Sequence, residues 1–232
     1  MKAYKIDRSD GKLHTRYSEL TQCTETGIER VLQLRAELIS KFKTKSTEFG
    51  TVRHEMFEEE VNETKATPAV FTHHEVTQEE VRATGKTPYE YQYLIGSLPV
   101  SHCEQSFATE LFPDVVIHFT PDEIAQEIET IIDTKTMIPN AAGKVNPNKY
   151  LKSNQLKLYA LLLRPHGITI KKGMFLIEQW DRDYKEITDY HVVPQKIGLI
   201  EMGEAQAWAA KRVDILKAGI EWWNSLEGTV KL

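Results

Sequence analysis

The run Ile131-Ile132-Asp133-Thr134-Lys135 constrains this chain more than any other stretch. Its apolar entry predicts a buried strand that ends on an acid and a lysine two residues apart. Strand side chains alternate between faces at about 3.3 Å per residue, so Asp133 and Lys135 share a face roughly 7 Å apart. A carboxylate so placed can hold a divalent metal, while the ammonium sits beside the metal rather than on it. A metal lowers the pKa of bound water, and a neighbouring cation orients that water or neutralises developing negative charge. An Asp-x-Lys tripeptide alone says little, because most are solvated surface charges. Here the apolar run and the flanking segments single it out.

The 232 residues suit one domain, 1–232. With 41% hydrophobic and 27% charged residues, a packed core is expected rather than disorder. No apolar run reaches the ~18 residues of a membrane span, and residues 1–7 lack the apolar centre of a signal peptide. The two cysteines, Cys23 and Cys103, make neither a disulfide framework nor a cysteine-rich metal site. A reducing, cytoplasmic setting without a membrane partner is therefore expected.

The net charge of −5 argues mildly against nucleic acid, but the distribution argues for it. Residues 134–177 contain no Asp or Glu, yet carry Lys135, Lys144, Lys149, Lys152, Lys157, Arg164, Lys171 and Lys172. Glu55, Glu58, Glu59, Glu60 and Glu63 crowd a different stretch. Chance drift of charge is the plain explanation. The functional one is a basic surface for a phosphate backbone, with Lys149, Lys152 and Lys157 as candidate contacts.

Along the chain, residues 18–100 are expected to be mostly helical and 101–232 to form an α/β core. Apolar spacing predicts helices over 18–43 and about 46–63, and the second places Gly50 and His54 on one face. A lone helical histidine is more often structural than a ligand. His73 and His74, adjacent on a predicted strand, face opposite ways and are taken as structural. Tyr89, Tyr91 and Tyr93 alternate as packing aromatics, although bases stack on such rings. Residues 115–119 and 127–134 are predicted strands, neighbours in a hairpin-like pair, which would let Asp114 approach Asp133. Asn148 is placed to cap a helix running to about residue 163, with Leu151, Gln155, Tyr159 and Leu162 on one face. Two further strands, 168–180 and 184–193, and a helix over 203–226 complete the pattern.

A helix with Gly50-x-x-x-His54, a strand pair with Pro113-Asp114, a strand with Asp133-x-Lys135 and a helix with Gln155-x-x-x-Tyr159 follow one another. This series resembles the PD-(D/E)xK nuclease superfamily, and within it the RecB-type branch that includes CRISPR-associated RecB-like exonucleases. The resemblance spans residues 50–159 and implies a restriction-endonuclease-like α/β core, a central mixed β-sheet flanked by helices. It implies that Asp114 and Asp133 bind Mg²⁺ or Mn²⁺, with His54 and the Thr134 carbonyl completing the shell. Oxygen ligands suit Mg²⁺, and an imidazole shifts preference toward Mn²⁺. Lys135 would position the attacking water, and Gln155 and Tyr159 would brace the site or touch the DNA backbone. The implied reaction is metal-assisted hydrolysis of DNA phosphodiesters, as an exonuclease or structure-dependent nuclease of replication, recombination or repair. A viral origin, a homo-oligomer and a recombination partner protein are all compatible with it.

Three departures qualify the match. The acid before Lys135 is Asp133, where many relatives carry Glu. Pro113-Asp114 lacks the preceding glycine common in the RecB type, which makes Asp122 a rival first ligand, with Glu110 and Glu129 as further acids. Relatives with an iron–sulfur cluster need four cysteines, so this chain would be a cluster-free member. A different class of function, a non-catalytic DNA-binding module on the same fold, is disfavoured by the intact acid–acid–lysine set. An unrelated α/β protein with accidental matches is the third reading.

Overall fold

The computed structural model describes residues 10–36, 49, 100–140, 143–183 and 186–227. Two strands rich in apolar residues, β6 (Thr130–Met137) and β7 (Lys172–Trp180), lie side by side in parallel, from Thr130 opposite Lys172 to Met137 opposite Gln179. Parallel neighbours require a long crossover. Residues 138–171 supply it and contain the helix α3 (Gln155–Leu163). Around this pair the order is β2-β5-β6-β7-β8, with β2 (His102–Cys103), β5 (Glu123–Ala125) and β8 (Ile187–Lys196) joined antiparallel. Pro194 falls in β8, an edge strand among the described residues, where a missing N–H is tolerated.

A second mixed sheet holds β1 (Leu13–Arg16), β4 (Val115–Phe119) and β3 (Phe107–Phe112) in the order β1-β4-β3, parallel and then antiparallel. The chain crosses from this sheet to the larger one in the three residues Thr120, Pro121 and Asp122. Helices α1 (Tyr17–Leu20), α2 (Ile28–Arg35) and α4 (Leu199–Glu227) flank the sheets. Val115, Ile117 and Phe119 of β4, Ile131 and Phe175 of the large sheet, and Leu156, Leu158 and Leu162 of α3 share one core. Ala205, Ala209, Val213, Leu216 and Ile220 recur at helical spacing and turn α4 onto that core. Among the described residues no helix is long and apolar enough to cross a membrane.

The α/β class, with mixed sheets flanked by helices, is as expected, but several local expectations are not. Residues 115–119 and 127–134 are not a hairpin: β4 pairs with β1 and β3, and the short β5 is the antiparallel neighbour of β6. A 3-10 turn, Gln126–Ile128, precedes β6, so the strand starts at Thr130. Within 18–36 the helix is broken by turns at 21–27, where Gly27 opens α2. Asn148 lies in a 3-10 turn, Pro147–Lys152, and α3 begins only at Gln155. The last strand runs to Lys196 and the last helix begins at Leu199. The predicted helix over 46–63 (Phe49 apart), His73, His74 and the tyrosines at 89–93 lie outside the described residues.

Candidate active site

Strand β6 delivers Asp133 and Lys135 to one face. Asp133 is 1% exposed, and its Oδ2 is ion-paired with the Lys135 ammonium. Gln155, the first residue of α3, donates from Nε2 to Asp133 Oδ1 at 2.6 Å. Gly173 of β7 makes this contact reachable: a Cβ there would lie 2.9 Å from Leu156 Cδ1 and 3.2 Å from Leu156 Cβ. A glycine at that point lets the start of α3 sit directly on the sheet. The Ser153 hydroxyl accepts the Gln155 backbone N–H at 3.2 Å and lies 3.3 Å from the Tyr17 hydroxyl, which fixes the helix start.

Asp122 joins them from the crossover between the sheets. Glu123 opposes Ile132, so one further step of the same register sets Asp122 opposite Asp133, and a second sets Pro121 opposite Thr134. Asp122 is buried, and its Oδ2 accepts the Thr134 backbone N–H at 2.7 Å. Its own carbonyl turns to the other edge and accepts the Glu104 N–H at 2.9 Å. In an antiparallel ladder the N–H and C=O of one residue address the same neighbour. The Thr134 carbonyl therefore opens on the same side as Asp122, where Pro121 has no N–H to give it.

These groups feel one another. Burial disfavours the charge on Lys135, but the carboxylates of Asp133 and Asp122 outweigh it and hold the ammonium well above its ordinary pKa. Tyr159, one turn along α3 from Gln155, is buried between Phe119 at 5.1 Å and Tyr17 at 6.0 Å. Burial and then Asp133 raise its phenol far above the usual value, with Lys135 opposing. Tyr159 thus stays a neutral phenol packed against the strand that carries Asp133.

The other sequence candidates lie elsewhere. Asp114 is exposed in the β3–β4 turn with φ of 61°, where its N–H donates to Glu110 Oε1 at 3.0 Å. The length of β4, about 17 Å at strand rise, separates that turn from the crossover bearing Asp122. The structure thus does not bring Asp114 to Asp133, and it does bring the rival acid Asp122. Glu110 is ion-paired with Lys12 at the same outer turn. Glu129 ends the 3-10 turn with φ of 53° and pairs with Lys171 at 2.7 Å, so it does not share the Asp133 strand face. His54 and Gly50 lie outside the described residues. Lys149 and Lys152 are exposed on the Pro147–Lys152 turn, and Lys157 is half-buried on α3. Leu151 is exposed on that turn and leaves the Gln155–Tyr159–Leu162 face.

Glu123, fully buried next to Asp122, and Tyr17 and Tyr150, which both feel the charges of Asp133 and Lys135, were not singled out from sequence. Only an acid placed in the short Glu123–Ala125 strand could have hinted at Glu123.

Among the described residues no group of three or more His, Cys, Asp or Glu side chains converges as a metal cluster. The donors that do converge are two carboxylates and the edge on which the Thr134 carbonyl opens, an all-oxygen set. Such donors fit a hard divalent ion such as Mg²⁺ or Mn²⁺, and each bound carboxylate oxygen keeps a second lone pair.

No protein-family model matches this chain, and no curated protein does. Solved structures do. A candidate exonuclease from Eubacterium rectale is 13% identical with a TM-score of 0.55, over 95% of this chain and 87% of that one. LHK-Exo of Laribacter hongkongensis, an alkaline exonuclease solved with dAMP, is 14% identical at TM-score 0.47, over 93% and 92%. A phage-related exonuclease from Haemophilus somnus is 12% identical at 0.45, over 89% and 96%. At such identity the likeness to the Eubacterium rectale protein is one of fold.

Proposed function

We propose that this protein is a divalent-metal-dependent deoxyribonuclease of the PD-(D/E)xK type, with Asp122 and Asp133 as the acids and Lys135 as the lysine. The observation that carries the reading is the convergence of Asp122 just before β5, Asp133 and Lys135 in the middle of β6, and Gln155 at the start of α3. Asp122 and Asp133, with the Thr134 carbonyl, would hold Mg²⁺ or Mn²⁺; when bound, the ion supplies an acidified water and polarises the phosphoryl oxygen. Lys135 places a permanent positive charge beside the reacting phosphodiester, which stabilises charge that develops during hydrolysis. Gln155 fixes the Asp133 carboxylate in one orientation. The pairing of Pro121 with Asp122 supplies the Pro-Asp signature that residues 113–114 were expected to carry.

The fold shared with a candidate exonuclease favours DNA ends as the substrate. Lys149 and Lys152, exposed beside the site, would contact the phosphate backbone. The finer placement in the RecB-type branch rests on Gly50 and His54. The test is incubation with linear, closed circular and single-stranded DNA, each with Mg²⁺ or Mn²⁺ and with EDTA. Loss of linear DNA that EDTA stops and that Lys135→Ala lacks is the expected result. Intact DNA under every metal condition would end the proposal.

A further inference from the structure

The turn before α3 carries a residue that the reading above leaves unused. Tyr150 lies in the Pro147–Lys152 turn, and its ring packs on Phe175 with centroids 4.9 Å apart. Phe175 is the register partner of Asp133 on β7, so the two project from the same sheet face on adjacent strands. Adjacent strands are about 4.8 Å apart. The Tyr150 ring therefore covers the floor immediately beside the acid.

The ring is held on its other sides too. Lys149 Nζ stands 4.9 Å from its centroid. Beneath the turn, Gln195 of β8 is buried, and its Nε2 lies 2.6 Å from the Tyr150 carbonyl, 3.2 Å from that of Leu151 and 3.2 Å from that of Ser153. One side-chain amide thus pins the backbone on which Tyr150 sits. The same Ser153 fixes the start of α3 through its hydroxyl. Tyr150 is in this way tied to the sheet that carries Asp133 and Lys135.

The phenol hydroxyl, by contrast, makes no hydrogen bond among the described residues, although Asp133 and Lys135 both act on it. Burial raises its pKa above the ordinary phenol value, Lys135 opposes the rise and Asp133 adds to it. It is a neutral O–H donor within electrostatic reach of Asp133 and Lys135, on a ring packed against Phe175 and not used by the fold. We propose that Tyr150 contacts the substrate, donating this hydrogen bond to a non-bridging oxygen of a nucleic-acid phosphate at the reacting position. Gln195 is the positioning residue that holds the turn in register. The inference rests on the phosphodiesterase reading.

Tyr150→Phe tests it, because the ring and its packing on Phe175 remain and only the hydroxyl goes. The expected result is a fall in kcat/KM on linear DNA with Mn²⁺ of about ten- to a hundred-fold, the scale of a hydrogen bond to a charged acceptor. The melting temperature and Mn²⁺ affinity should stay at wild-type values. Gln195→Leu should impair cleavage by the same route. The double variant should then be within about twofold of the worse single one, since coupled residues are not additive. Cleavage by Tyr150→Phe within about twofold of wild type, with Lys135→Ala inert, would overturn the role of Tyr150 and leave the nuclease reading standing. A wild-type protein that cleaves no DNA would overturn both. A loss of cleavage in Tyr150→Phe that merely follows a lowered melting temperature would make the residue structural and end the inference.

Discussion

Replacing Asp122 in two ways separates what its carboxylate does for the fold from what it does for the site. Its Oδ2 takes the Thr134 N–H at 2.7 Å in a buried position. Asp122→Ala leaves that N–H without its acceptor, a loss of about 2 kcal/mol on the scale of hydrogen bonds to charged groups. For a chain of this size that corresponds to a fall in Tm of roughly 4–8 °C. Asp122→Asn keeps a carbonyl oxygen for Thr134, so Tm should move by less than about 3 °C. The charge, however, is gone. Unit charges 4 Å apart interact by about 4 kcal/mol at an effective dielectric near 20, and a divalent ion doubles that. Even if the amide dipole recovers most of it, a residual of about 1.4 kcal/mol is tenfold in Kd. Mn²⁺ titration calorimetry should therefore show at least about tenfold weaker binding for Asp122→Asn, and the same for Asp133→Asn. Asp114→Asn should match wild type in both measurements, because Asn tolerates the left-handed backbone of that turn. Loss of Mn²⁺ binding in Asp114→Asn with retention in Asp122→Asn would refute the assignment.

Four further outcomes are expected. Pro121→Ala supplies an N–H opposite the Thr134 carbonyl; Mn²⁺ affinity should drop while Tm holds or rises, and unchanged affinity would remove that carbonyl from the site. If His54 is a metal ligand, as the RecB-type placement requires, His54→Ala should weaken Mn²⁺ binding, and wild-type affinity should decline as pH falls through the imidazole titration; equal affinities at all pH values count against it. Reversing the charge of Lys149, Lys152 and Lys157 should flatten the salt dependence of DNA binding by about one unit of slope per lost contact, and an unaltered slope would leave these lysines as solvated surface. Burial pushes the Cys23 thiol up to about 12, so at pH 8 a thiol reagent should label Cys103 quickly and Cys23 only after unfolding; rapid labelling of both in the native protein contradicts this.

The parts of the site that sequence revealed are those fixed by local periodicity. Strand alternation alone puts Asp133 with Lys135, and helical spacing alone puts Gln155 with Tyr159. The parts that it hid depend on contacts distant in the chain. Residues 115–119 and 127–134 look like a hairpin by spacing, and nothing local says that the intervening residues hold a three-residue strand with a buried Glu123. Glu129 falls inside the strand that spacing predicts over 127–134, yet a left-handed turn with Lys171 alongside takes it out of the ladder. Asn148 has the chemistry of a helix cap, but the carbonyls of Tyr150 and Leu151 in that turn and of Ser153 just after it are drawn to Gln195, more than forty residues away. That tertiary pull delays α3 to Gln155 and aims its first side chain at Asp133.

The Pro-Asp dipeptide shows how the crossover itself makes the site. A backbone ladder between β5 and β6 satisfies both polar groups of every second residue it reaches, and a residue so satisfied has little left for a ligand. Pro121 stops the ladder at Thr134 because it cannot donate, and the turn to the smaller sheet carries the rest of the chain away. The two orphaned groups of Thr134 then divide. The Asp122 carboxylate claims the N–H, which locks that acid against β6. The carbonyl is left facing the same space as Asp122 and Asp133. An ordinary residue at 121 would pair with the carbonyl, and an ordinary residue at 122 would leave the N–H bare. The short reach of β5, the proline and the acid therefore act together: ending a strand early leaves the Thr134 N–H to the Asp122 carboxylate and puts opposite the Thr134 carbonyl a residue that has no N–H to give, on the strand that carries Lys135.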